Sequence, residues 1–265
     1  MRDHVPRLFL RQNFSSERFK TRREIGLRFG KSVFKFAVML MVVSVVASVS
    51  AVLVFSVVPV PLTPLVVLRW IDAKVDGREA RVEKKWVPIE KIPESALRAA
   101  IASEDFRFVE HSGFDFDAIQ KAIKFNQKYS ESSRRRGRHR MRGASTISQQ
   151  TAKNVFLWPS RSWLRKGVEA WFTVLIESVW SKRRILEVYL NVIEFGDGIY
   201  GVEAASRHFF NKSASRLTRS EAALLIAVLP NPRKLMVHRP SAYVRFRQTA
   251  ILRRFSYVDL PSRSP

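Results

Sequence analysis

Residues Phe36 to Val58 run for 23 positions without a charged side chain, and no other segment restricts the fold of this chain so tightly. At 1.5 Å per residue a helix of that length covers about 35 Å, enough to cross a hydrocarbon core of about 30 Å. A cleavable signal peptide would carry a shorter apolar region, about 7–15 residues, followed by a small-residue cleavage site. Here Pro59, Pro61 and Pro64 follow instead. The pattern predicts an uncleaved, single-pass anchor. Ten Lys/Arg against three Asp/Glu in the first 35 residues hold the N-terminus in the cytoplasm by the positive-inside rule. The expected organisation is a basic cytoplasmic segment over residues 1–35, a transmembrane helix over 36–58 and an exported domain over 59–265, large enough for its own core.

A net charge of +24 and an isoelectric point near 11.2 require an anionic partner. Nucleic acid fits poorly with an exported domain that carries no nucleic-acid motif. Anionic lipid headgroups fit the topology, and a phosphate-bearing substrate fits the charge. Cysteine is absent, which is compatible with either compartment. The five histidines are scattered, without the spacing of a metal site. No nucleophile elbow for Ser-His-Asp chemistry is present.

The exported part reads as mainly α. Pro59 to Pro64 suggests an extended linker, and Trp70 to Glu90 an irregular or weakly stranded segment. Pro93 opens a helix reaching about Glu104, and a second begins after Asp115. Lys128 to Arg142 carries six arginines and a histidine in its second half, either a solvated loop or one lying on headgroups. Trp163 to Trp180 is apolar on more than one side and predicts a central, buried helix. Ser181 caps the next helix. Thr218 and Glu221 form a capping box, Pro230 and Pro232 stop that helix, and Ser241 to Phe255 is a final basic helix. Gly196 to Gly201 satisfies G-x-G-x-x-G, but the preceding segment reads as helix and no strand–helix alternation surrounds it. A turn between helices is expected there rather than a nucleotide site.

Three places could carry chemistry. Read as a helix, Gly143 to Asn154 (GASTISQQTAKN) puts Ser145, Gln149 and Lys153 on one stripe and Thr146, Gln150 and Asn154 on the next. Ala144, Ile147, Thr151 and Val155 then face the core. Hydroxyls and amides ending in a cation suit a polyhydroxyl or phosphorylated ligand, although a merely solvated face has the same composition. Glu104 follows Leu97, Ala100 and Ile101 on an apolar stripe, with Phe106, Phe108 and Phe114 close behind. A carboxylate against such surface resists ionisation and becomes useful for proton transfer; turned to solvent it is an ordinary helix end. Glu169 lies in the most hydrophobic helix with Arg165 four residues before it. Two carboxylates in different environments beside a hydroxyl and amide face point to acid–base chemistry on sugars. The cations Lys153, Arg165 and Lys166 favour a phosphate leaving group, hence transfer from a sugar diphosphate over hydrolysis.

These same residues resemble the five signatures of the peptidoglycan glycosyltransferases, in order. Glu104 to Gly113 (EDFRFVEHSG) is similar to the first, Gly143 to Asn154 to the second and Arg165 to Glu169 (RKGVE) to the third. Lys182 to Asn191 (KRRILEVYLN) with Gly196, Tyr200 and Gly201 is similar to the fourth. Glu221 to Leu225 (EAALL) with Pro230 to Pro232 is similar to the fifth. The resemblance spans about Leu97 to Pro240. It implies a mainly α, lysozyme-like, bilobed domain behind one transmembrane helix, in the bacterial inner membrane with the catalytic domain periplasmic. It implies polymerisation of lipid II into β-1,4 glycan strands with inversion and release of undecaprenyl pyrophosphate. By position, Glu104 matches the general base and Glu169 the second essential carboxylate. Ser145, Thr146, Gln150, Lys153, Asn154, Arg165 and Lys166 match residues lining the substrate cleft. Asp105 and His111 match first-signature residues of structural or substrate-binding role. The implied partners are lipid II and the growing glycan strand, anionic membrane lipids and other cell-wall synthases, with no nucleic acid. No cofactor is implied, although a divalent cation such as Mg is compatible. No transpeptidase domain follows the matched region, so transpeptidation is not expected. The competing expectations are a lytic glycoside hydrolase on the same scaffold and a non-enzymatic basic membrane scaffold.

Overall fold

The computed structural model describes the backbone of residues 8–133, 143–160 and 162–262. The arginine tract over residues 134–142 therefore lies outside the described residues. The chain forms two units, Met1–Ala51 and Val52–Pro265. The described part of the first is helix α1 (Leu8–Val57) up to Ala51. Within α1, Lys31–Val57 is long and apolar enough to cross a membrane, and most of its large apolar side chains stand exposed. An exposed apolar cylinder of this length is stable only in a non-aqueous surrounding.

The second unit is mostly helical. Extended residues 59–63 agree with the expected linker, but helix α2 (Pro64–Val75) follows at once where irregular chain was expected from Trp70 onward. The cause is local. Thr63 caps the helix by accepting from Val66 N, and Pro64 takes the first helical position, where its missing N–H costs nothing. Only β1 (Glu83–Lys84) and a 3-10 turn at Ile89–Lys91 match the weakly structured reading. Helices α3 (Glu94–Glu104), α4 (Phe116–Ser133), α5 (Ile147–Phe156), α6 (Trp163–Val179) and α7 (Lys182–Val192) come next. Strands β2 (Glu194–Gly196) and β3 (Ile199–Tyr200) lead to α8 (Val202–Phe210), α9 (Arg219–Ala227) and α10 (Ala242–Arg254).

Helix α9 carries the expected capping box of Thr218 and Glu221. Its residues Ala222 to Ala227 are all buried, and it packs against α3 and α10. Alanines at Ala222, Ala223 and Ala227 let the backbones approach, while Leu225 and Ile226 fill the space beyond. A second packed group places α5 against α2, α6 and α7. Helix α7 supplies the largest buried side chains there, among them Ile185, Leu186, Tyr189 and Leu190.

Two expectations need correction. Gly196 to Gly201 is a β hairpin, not a plain turn: β2 and β3 are antiparallel, and β1 lies parallel on the other side of β3. Gly198 and Gly201 have positive φ, and a Cβ would stand 2.4 Å from Arg81 O and 2.8 Å from Asn191 O respectively. Close backbone packing therefore explains these glycines, and phosphate binding is not needed. Helix α6 is also not the buried helix its composition suggested. Trp163, Leu164, Trp171 and Val174 are exposed, and its buried residues are Glu169, Thr173 and Ile176. The apolar side chains face outward because the inward stripe, at spacings of four and three, is mostly polar.

Residues 52–61 are held within the second unit by donors. Arg184 donates to Phe55 O and Val58 O, Trp180 Nε1 to Val52 O at 2.8 Å, and Lys84 Nζ to Val60 O and Pro61 O. Arg184 and Lys84 satisfy carbonyls that a helix end and an extended segment would leave unpaired. Burial pushes the Lys84 ammonium down to about 8.

Asn191, fully buried on α7, accepts from Val87 N and donates to Val87 O and Glu187 O, each at 2.8 Å. Asn191→Leu leaves both Val87 groups unpaired, so a loss of about 2–4 kcal/mol is expected. Denaturant unfolding of the detergent-solubilised protein measures it; a loss under about 0.5 kcal/mol would contradict this account.

Candidate active site

The site begins where α3 ends. Asp105, the residue after the helix, is buried, and its carboxylate has two partners: Oδ2 accepts from Ile147 N at 2.9 Å, and Oδ1 lies 2.9 Å from His111 Nε2. The first contact places a carboxylate on an N–H at the positive end of α5. It ties the end of α3 to the start of α5, so that Glu104 and Gln150 meet. Thr146 adds a second tie. Its hydroxyl accepts from Gln149 N and donates to Gly113 O at 2.7 Å, while Gln149 Oε1 accepts from Thr146 N. This is a capping box. Helix α5 therefore starts at Ile147, not at Gly143 as the stripe reading required. Ser145 and Thr146 sit on extended chain, and Gln149 is spent on the cap.

Glu104 is 17% exposed at its side chain. Its Oε1 accepts from Ser103 Oγ at 2.8 Å, and Arg247 Nη2 lies 3.5 Å away. Its Oε2 accepts from Gln150 Nε2 at 3.2 Å. Of the phenylalanines expected near it, Phe108 is buried in the core, while Phe106 is exposed and lines the same cleft. A hydroxyl, an amide and a guanidinium surround the carboxylate, all serving as donors, which suits its ionised form. Behind Gln150, Tyr189 OH stands 3.4 Å from Oε1. Burial, with the nearby Glu104 and Asp105 carboxylates, holds that phenol well above its usual range.

Glu169 is almost fully buried. Arg165 donates to Oε2 at 2.8 Å and Lys166 Nζ to Oε1. Both oxygens are thus paired, as the i−4 position of Arg165 suggested. Lys153, half-buried on α5, has its ammonium pulled down by burial and by Arg165 and Lys166, against an upward pull from Glu169 and Glu104. An anionic ligand beside it would offset that desolvation.

An open cleft of about 1230 Å³ lies over this region. Of the sequence-predicted residues it brings together Glu104, Asp105, Ser145, Thr146 and Gln150. Glu169, Lys153, Asn154, Arg165, Lys166 and His111 are not on its lining. Two contacts link the two sets: His111 Nε2 lies 2.9 Å from Asp105 Oδ1, and Lys166 Nζ, which holds Glu169, reaches Ser145 Oγ at 3.5 Å. His111 lies behind the cleft on Asp105. The backbone carbonyl of His111 accepts from Lys182 Nζ, which also donates to Glu177 Oε1 at 2.8 Å. Glu177 in turn accepts from Ser148. Sequence reasoning missed Arg247, Tyr243 and Arg254 of α10, which line the cleft opposite α5. All three lie in the basic final helix outside the five signatures, where one arginine looks like the next.

The transglycosylase family profile matches residues 72–256. A biosynthetic peptidoglycan transglycosylase of Bdellovibrio bacteriovorus is 54% identical over 209 residues, covering 79% of this chain and 80% of that protein. Proteins of the same description from Shigella boydii and Escherichia coli are 52% identical over 222 residues, covering 83% of this chain and 88% of theirs. The chain belongs to the transglycosylase family, whose fold is lysozyme-like.

Asp105→Ala removes the side chain that, among the described residues, joins α3, α5 and His111, and leaves Ile147 N unpaired. A loss of about 2–3 kcal/mol is expected, and His111→Ala should cost less, about 1 kcal/mol. Thermal unfolding of the two variants checks the order, and an equal or reversed order would refute it.

Proposed function

We propose that this protein is a membrane-anchored peptidoglycan glycosyltransferase that polymerises lipid II into linear glycan strands. The observation that carries the reading is Glu104, a carboxylate whose partners are all donors, set in an open cleft beside Ser145 and Gln150. In this role Glu104 is the general base, taking the proton of the acceptor's 4-hydroxyl as that oxygen attacks the donor's anomeric carbon with inversion. The bond that breaks joins the sugar to its pyrophosphate, which departs on the undecaprenyl carrier. Lys153, Arg165 and Lys166 serve as the cations that steady this leaving group. Glu169, paired with Arg165 and Lys166, keeps two of them fixed in the absence of substrate. Ser145, Thr146, Gln150 and Asn154 stand as the polar wall, and Asp105 with His111 as its support.

The apolar helix Lys31–Val57 supports the reading as its membrane span, and the excess of Lys and Arg before it supports a cytoplasmic N-terminus. The catalytic unit is then periplasmic, at the outer leaflet of the inner membrane. There the exposed Trp163, Leu164 and Trp171 of α6 suit contact with lipid, and the positive charge suits anionic headgroups. Other cell-wall synthases are candidate partners for the same membrane location.

Incubation of the full chain with lipid II tests the reading. Polymer accumulates and undecaprenyl pyrophosphate is released; degradation of preformed glycan without consumption of lipid II would overturn it in favour of a hydrolase. Glu104→Gln reduces polymerisation by at least about 10²-fold, the scale of general-base catalysis. Lys153→Ala raises KM for lipid II more than it lowers stability, because the wild-type cation is desolvated and gains from the donor's phosphates.

A further inference from the structure

Arg247 lies outside every signature matched above, yet it makes the most direct contact that α10 has with the candidate base. Its Nη2 donates to Ser103 Oγ at 2.9 Å and stands 3.5 Å from Glu104 Oε1, while Nε donates to Ala227 O at 3.0 Å. Ser103 passes the contact on, donating its own hydroxyl to the same Oε1 at 2.8 Å. Three groups thus converge on one carboxylate oxygen and one carbonyl: a planar fork is held at its Nε by the end of α9 and aimed with its Nη2 at α3. The guanidinium is only 24% exposed, so its charge is poorly screened. A lysine could not reproduce this, since it has no planar fork to span Ala227 O and Ser103 Oγ together.

We propose that Arg247 is a positioning residue for Glu104. It fixes the carboxylate's rotamer through Ser103, keeps Oε1 occupied and thereby presents Oε2, shared with Gln150, to the acceptor. This rests on the general-base reading of Glu104. The arrangement joins three helices at one point: α10 contributes the fork, α9 its backbone stop and α3 the base. It gives the C-terminal helix a catalytic consequence that none of the signature residues supplies. Charged and titratable groups facing Glu104 are Asp105 at the end of its own helix, Lys153 on α5, Tyr189 on α7 and Arg247 on α10. Arg107 and Arg254 line the same cleft. Of these, only Arg247 is an ion pair to Glu104, so its removal has a signature the others do not share.

The test measures lipid II polymerisation by the full chain in detergent, with kcat, KM and thermal stability for wild type, Arg247→Met, Arg247→Lys and Glu104→Gln. Arg247→Met lowers kcat by about 30- to 100-fold with KM changed less than about threefold, because the base and not substrate binding is disturbed. Arg247→Lys keeps the charge but not the fork and recovers only part of kcat. A purely structural role predicts instead a fall in folded protein with kcat per folded molecule unmoved. That result, or a kcat unchanged in a folded Arg247→Met, overturns the proposal. If Arg247→Met does not fold, Arg247→Lys decides: full kcat overturns the proposal, and reduced kcat at wild-type thermal stability upholds it. An active wild type with an active Arg247→Met refutes the positioning role alone, whereas a wild type that forms no polymer refutes the functional reading beneath it.

Discussion

The arrangement of the site depends on one buried carboxylate. Asp105 ends α3 and at the same time accepts the N–H of Ile147, the first residue of α5. These residues are 42 positions apart in the chain, and residues 134–142 lie between them. A hydrogen bond to a buried charged group is worth more than an ordinary one. It also acts at the helix end whose unpaired N–H groups favour negative charge. Without it, the geometry that lets Gln150 reach Glu104 would rest on weaker contacts alone. His111 closes the other face of the same carboxylate, and through its backbone carbonyl joins the Lys182–Glu177–Ser148 chain. The first, second and fourth signatures therefore meet at a network that lies mostly behind the cleft and reaches its lining through Asp105.

That arrangement explains what could be read from the sequence and what could not. Capping residues that act within a few positions were legible: Thr218 with Glu221, Ser181 before α7 and Ser241 before α10 all start the helices expected of them. The same signal was present at Thr146 and Gln149 and was overridden by reading Gly143 as already helical. At Thr63 and Pro64 it was hidden by the assumption that prolines after a membrane span mean linker. Long-range partners were not legible at all. Nothing in the neighbourhood of Arg247 distinguishes it from Arg245, Arg253 or Arg254; only the packing of α10 on α3 and α9 does so. The two glutamates were picked out by their neighbours; the groups in hydrogen-bond reach of Glu104 are donors, and Phe106 shares its cleft.

Helix α6 shows why composition misleads beside a membrane. In water an apolar face turns inward, and the reading of Trp163 to Trp180 as a buried helix followed that rule. In the fold the stripe of Glu169, Thr173 and Ile176 turns inward and the tryptophans turn out. A partly polar interior stripe is tolerable because each polar group is satisfied: Glu169 by Arg165 and Lys166, and Thr173 by Glu169 O at 2.7 Å. The exposed Trp163 and Leu164 beside them suit a surface that works against lipid. The amphipathic ring of Trp163 suits the headgroup level, where one edge is dry and the other wet.

The two glutamates differ in a way that separates their roles on physical grounds. Glu169 has both oxygens committed, each to a cation, and is buried. In the proposed reaction Glu169 acts by fixing Arg165 and Lys166, since both of its oxygens are already taken. Glu104 is partly open to the cleft, and one of its oxygens is held by a neutral amide at 3.2 Å, a bond that an incoming hydroxyl can replace at little cost. On the same proposal it is Glu104 that takes the proton. Because Lys166 also reaches Ser145 on the cleft wall, a phosphate arriving there would compete with Glu169 for the same ammonium, and the proposed leaving group would meet a donor already in place.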